Sequence, residues 1–142
     1  VPKLETASVQ EHVKAIPANG KKSTILLVDD HDDTSAAVKM LLERQGYSVR
    51  VSASSAQAID TIKNEPVDLI ISDIGLPDES GLMMLKKIRK ISDVPAIALS
   101  GFGSDDDIQR SHEAGFQKHL TKPFNLQKFR DTIAHLLGNE KR

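Results

Sequence analysis

From Thr24 onward the chain repeats one pattern five times, a short apolar run followed by an amphipathic stretch, within about 115 residues. Parallel strands cannot be joined by a tight turn. They need a crossover of a dozen or more residues, usually a helix that also covers the sheet. The repeat therefore predicts one α/β domain, a (βα)5 unit whose parallel sheet is covered on both faces. The amphipathic stretches space their apolar residues near 3.6: Val38, Leu41 and Leu42; Ala58, Ile59 and Ile62; Leu82, Leu85 and Ile88; Phe129, Ile133, Leu136 and Leu137. Gly46, Gly115 and Gly138 stand where left-handed helix ends are wanted, and Ser104 with Asp107 resembles a capping box.

The strands themselves indicate their order. Residues 25–28 (ILLV), 69–71 (LII) and 96–99 (AIAL) are continuous apolar runs, as strands buried on both faces should be. In contrast, Tyr47, Val49, Val51 and Ala53 alternate with polar residues, and 116–121 is mixed, carrying Lys118 and His119. These two read as edges. With right-handed crossovers the simplest solution is the doubly wound order 2-1-3-4-5. That order puts a topological switch point between the first and third strands, where ligands gather at the strands' carboxyl ends.

Each strand that borders or lies beyond that point ends on a polar residue. Asp29 and Asp30 follow the first, Asp73 the third, Ser100 the fourth and Lys122 the fifth. Adjacent strands lie roughly 5 Å apart, so these side chains can converge on one pocket. Three carboxylates that close repel one another unless a cation sits among them, and a hard ion such as Mg²⁺ suits an all-oxygen donor set. A carboxylate can also act as a nucleophile towards phosphorus, with a lysine and a hydroxyl meeting the phosphoryl oxygens. Asp73, on the central strand, is placed for that role. Alone, each residue has a plainer explanation: solvated loop acids near a helix start for Asp29 and Asp30, turn chemistry for the rest. The set of four strand ends is what argues for function.

At this point the sequence resembles the receiver domains of bacterial response regulators and hybrid histidine kinases, over about residues 22–138. The matching segments are 25–30 (ILLVDD), 69–77 (LIISDIGLP), 98–101 (ALSG) and 120–124 (LTKPF). The resemblance implies a flavodoxin-like fold, with Asp73 as phosphoacceptor and Asp29 and Asp30 as the acidic pair. It further implies that the Gly75 carbonyl completes a Mg²⁺ shell in which Mn²⁺ can substitute, that Ser100 is the switch hydroxyl, and that Lys122 binds phosphate. A cis Lys122-Pro123 bond is implied as well. Three residues before the lysine, where the family usually has Tyr or Phe, stands His119. It is read either as part of the switch or as a partly exposed edge residue. Gly75 and Phe102 resemble positions that tune hydrolysis.

By the same resemblance the partners are a histidine kinase or histidine phosphotransfer domain, docking at the first helix. The fourth helix, fifth strand and fifth helix form the output or dimer surface. Residues 1–22, with Pro2, Pro17 and Asn19-Gly20, read as a linker or the end of a preceding domain, and 23–140 as the receiver. That arrangement suits the last domain of a hybrid sensor histidine kinase; the alternative is a stand-alone response regulator. Formal net charge is -1 and cysteine is absent, which favours neither nucleic acid nor membrane lipid and excludes disulfides and thiolate metal sites. No apolar run approaches the roughly 20 residues that span a bilayer, and the expected location is cytoplasmic, whatever anchors the parent chain. Two other classes fit the sequence less well. A haloacid-dehalogenase-type phosphatase shares the residue types but has D-x-D near its first strand, and a docking module has no need of the complete set.

Overall fold

The computed structural model describes residues 23–101, 103–123 and 125–138. The readings of 1–22 as a linker, of Phe102 as a tuning position and of the last residue of 120–124 lie outside the described residues.

Ten elements alternate among the described residues: β1 (Thr24–Val28), α1 (Asp32–Arg44), β2 (Ser48–Ser52), α2 (Ser55–Asn64), β3 (Leu69–Asp73), α3 (Gly81–Ile88), β4 (Ala96–Ser100), α4 (Asp105–Ala114), β5 (Lys118–Thr121) and α5 (Leu126–Leu137). The strands form one parallel sheet of order β2-β1-β3-β4-β5, as expected. The continuous apolar runs divide by the two-residue period of a strand. Ile25, Leu27, Leu69, Ile71, Ile97 and Leu99 face a layer made by Leu42 of α1 with Phe129 and Ile133 of α5. Leu26, Val28, Ile70, Ala96 and Ala98 face the opposite layer, with Ala58 of α2, Met84, Leu85 and Ile88 of α3, and Ala114 of α4. Complete burial of an Ile or Leu stabilises by about 1.5–3 kcal/mol, so these two layers supply the main driving force.

The edge strand β2 departs from the simple alternation. Tyr47 and Val49 are buried, yet Val51 is 42% exposed. Ala53 is also exposed, and Ser52 is buried instead. The cause lies in α1, which starts at that end of the sheet with Asp32-Asp33-Thr34 and brings its apolar residues only later, near Tyr47 and Val49.

Helix ends follow local chemistry. The side chains of Ser54, Ser80 and Asn125 accept from the backbone N–H three residues on, and Ser104 with Asp107 forms the full capping box. Gly46, Gly115 and Gly138 have φ of 97°, 116° and 73°, the left-handed conformation in which a side chain is strained.

Candidate functional site

Strand register brings the predicted residues together. Val28 pairs with Ser72, so Asp29 and Asp73 stand side by side one step further on. Leu99 pairs with Asp73 and Ser100 with Thr121, which sets Ser100 and Lys122 one step beyond on the other flank. Asp29, Asp73 and Ser100 are buried, while Asp30 is more open. The Lys122 amide donates to the Ser100 carbonyl at 2.7 Å, and the Lys122-Pro123 bond is cis.

The side chains meet in one pocket. Lys122 Nζ lies 3.4 Å from Asp73 Oδ2, an ion pair reaching from the end of β5 across β4 to β3. The Gly75 amide donates to Asp73 Oδ1 at 3.3 Å, which orients that carboxylate from the loop that follows it. One donor atom each from Asp29, Asp30, His31 and Asp73 lies within 4.8 Å of the others. Three carboxylates gathered that tightly form a hard oxygen donor set, and this chemistry fits Mg²⁺.

His31 was not singled out as a site residue in the sequence. Its Nδ1 is 2.9 Å from Asp29 Oδ1, 3.3 Å from Asp30 Oδ1 and 3.9 Å from Asp73 Oδ2. The hydrogen bond to Asp29, followed by the charges of Asp30 and Asp29, raises the imidazole above its ordinary pKa. The available signal was adjacency: a residue directly after an Asp-Asp pair shares its turn, and the His31 amide itself donates to Asp29 Oδ1 at 2.8 Å.

His119 lies outside the acid cluster. It is half-buried on β5, with Nδ1 3.0 Å from the hydroxyl of Ser111, a buried residue of α4. The loop between β3 and α3 is fastened at its far end to the start of α2, a contact sequence reasoning missed. Asp78 accepts from the Ser55 and Ala56 amides at 2.9 and 3.0 Å, and Glu79 accepts from the Ser55 hydroxyl and from Lys87 Nζ. These donors hold both acids below the ordinary carboxylate range, the Ser55 amide first for Asp78 and the Ser55 hydroxyl first for Glu79. The loop carrying Gly75 is thus tied at both ends, by the Asp73 carboxylate and by α2.

This fold with acids, hydroxyl and lysine at the carboxyl ends of its strands defines a phosphoacceptor signalling domain. The chain matches the response regulator receiver domain over residues 25–134, and it belongs to that family. The TorCAD operon transcriptional regulatory protein TorR of Escherichia coli O157:H7 is 36% identical over 113 residues, which are 80% of this chain and 49% of TorR. This chain therefore spans about half the length of that relative. The receiver domain of the sensor histidine kinase PA1611 from Pseudomonas aeruginosa PAO1, solved with a magnesium ion coordinated in its active-site cleft, is 28% identical. It has a TM-score of 0.75, and the likeness covers 82% of this chain and 98% of that one. A chain from the complex of the Saccharomyces cerevisiae phosphotransfer protein Ypd1 with the receiver domain of Ssk1 is 25% identical. Its TM-score is 0.76, with 81% and 88% covered. Receiver domains act in two-component phosphorelays, bind Mg²⁺ at their acidic pocket and pair with histidine kinases or phosphotransfer proteins. Among the described residues no helix is long and apolar enough to cross a membrane.

Proposed function

We propose that Asp73 is the phosphoacceptor of this receiver domain. An Asp73 carboxylate oxygen attacks the phosphorus of a phosphohistidine, and the P–N bond breaks. Its electron pair goes to the departing imidazole, which takes a proton from water. Asp29, Asp30, Asp73 and the Gly75 carbonyl would hold Mg²⁺, with Mn²⁺ as a substitute. The ion supplies positive charge beside the phosphoryl oxygens. Lys122 meets a second phosphoryl oxygen, and the Ser100 hydroxyl donates to a third. The observation that carries this reading is the Lys122 ammonium at 3.4 Å from Asp73, beside three acids that share one small volume.

Phosphorylation places nearly two negative charges in the pocket, and Ser100 and Lys122 close on them. Gly101, Gly103, Ser104 and α4 then move, with His119, hydrogen-bonded to Ser111 of α4, as the link from β5. The surface of α4, β5 and α5 is the proposed output or dimer contact, and α1 the docking site for the donor. Likeness to the PA1611 receiver favours residues 23–140 acting as the receiver of a hybrid sensor histidine kinase, on the cytoplasmic side.

The test is incubation with acetyl phosphate and Mg²⁺ followed by intact-mass measurement. The native protein should gain one phosphoryl group, and Asp73→Asn or chelation of the metal should prevent the gain. Equal labelling of Asp73→Asn, or labelling indifferent to chelator, sinks the assignment.

A further inference from the structure

We propose that His31 is a fourth side-chain ligand in the Asp29, Asp30 and Asp73 pocket and shifts its preference from Mg²⁺ towards nitrogen-accepting first-row divalent ions such as Co²⁺. The inference rests on the metal pocket proposed above and concerns its selectivity. Geometry is the first reason. Around an ion with ligands at about 2.1 Å, octahedral neighbours are about 3.0 Å apart and opposite ligands about 4.2 Å apart. From His31 Nδ1 to the three acid oxygens the separations are 2.9, 3.3 and 3.9 Å, within or at the edge of that interval. The imidazole nitrogen therefore already stands where a ligand sharing the ion with those oxygens would stand.

A second, separate observation concerns the start of α1. Among the described residues the other four helices begin with a Ser or Asn whose side chain accepts from the first turn. His31 holds the same position in α1 and makes no side-chain cap. Its ring turns to the acids instead. The cap position of α1 thus contributes to the pocket a donor of a different kind, and imidazole favours Co²⁺, Ni²⁺ or Zn²⁺ far more than it favours Mg²⁺, which keeps to oxygen.

The experiment compares the native protein with His31→Ser at one fixed pH of about 8, the same for both proteins and all ions. Serine restores a good helix cap, so the variant's fold is not at risk from the start of α1. Affinities for Co²⁺ and Mg²⁺ are measured by titration calorimetry, and bound Mn²⁺ is probed by pulsed electron paramagnetic resonance for directly coordinated nitrogen. The expected result is nitrogen coupling in the native protein only, with the ratio of Co²⁺ to Mg²⁺ affinity falling about tenfold in His31→Ser. If both proteins bind the ions with the same ratio and neither shows nitrogen coupling, the role of His31 is overturned while the acid pocket stands. If neither protein binds any of the three ions, the acid pocket is overturned along with it.

Discussion

Replacing Gly81 with alanine tests how tightly Asp73, the proposed acceptor, is held from behind. A Cβ on Gly81, the first residue of α3, would lie 2.5 Å from the backbone oxygen of Asp73, 3.1 Å from Ile74 Cα and 3.3 Å from Ser72 Oγ. Ordinary contact begins near 3.4 Å, so strand and helix must part by about 0.9 Å along the first of these lines. The obstruction is backbone and cannot swing aside. The Asp73 oxygen already accepts from the Ser72 hydroxyl at 2.8 Å, and the Gly81 amide donates to the Ile74 carbonyl at 2.7 Å. Overpacking of this kind costs about 1–3 kcal/mol, offset by up to about 1 kcal/mol from the better helix propensity of alanine. If both sides yield equally, Asp73 moves about 0.5 Å. A misplacement of about 1 Å costs on the order of 10²-fold in rate, so the expected loss is on the order of tenfold. Intact-mass time courses with acetyl phosphate and Mg²⁺ measure the rate, and urea unfolding measures the stability. Gly75→Ala is the stability control, because a Cβ there meets nothing within 4 Å and should change unfolding by less than about 0.5 kcal/mol. A Gly81→Ala protein with the native labelling rate and unfolding midpoint would refute this account of the contact.

Two further outcomes concern the scaffold. Ile71→Ala, at a fully buried position of the central strand between β1 and β4, should lower unfolding stability by about 2–5 kcal/mol in urea titrations. The carboxyls of Asp78, Glu79 and Asp107 are held below their ordinary range, by the Ser55 amide, the Ser55 hydroxyl and the Ser104 hydroxyl respectively. A depressed folded-state pKa contributes stability that is complete above the unfolded value. It is lost as pH falls through the lowered one, so thermal midpoints should drop below about pH 4. Glu79→Gln with Asp107→Asn should flatten that slope, and an unaltered slope would show that other acids set it.

Much of the architecture was legible because periodicity and strand burial carry it. The all-apolar runs 25–28, 69–71 and 96–99 marked strands covered on both faces, and in the folded chain their odd and even positions divide between the two layers. Asp29, Asp73, Ser100 and Lys122 could be brought together on paper because parallel strands in register end together. His31 escaped notice because its role depends on the direction taken by one turn. Periodicity says nothing about that. Exposure of Val51 on the edge strand has a related cause: alternation names a face, while coverage depends on what the opposite helix carries at that height.

The sequence by itself determined the element types, the strand order and the acids, hydroxyl and lysine that close the strands, since all of these follow from short-range spacing and topology. Only the tertiary structure decided that His31 joins the acids, that Asp78 and Glu79 fasten the loop after β3 to α2, and that Gly81 stands against the Asp73 backbone. Those contacts depend on ångström-scale distances between separately packed segments. Such distances emerge only once helices and strands have settled against a common core.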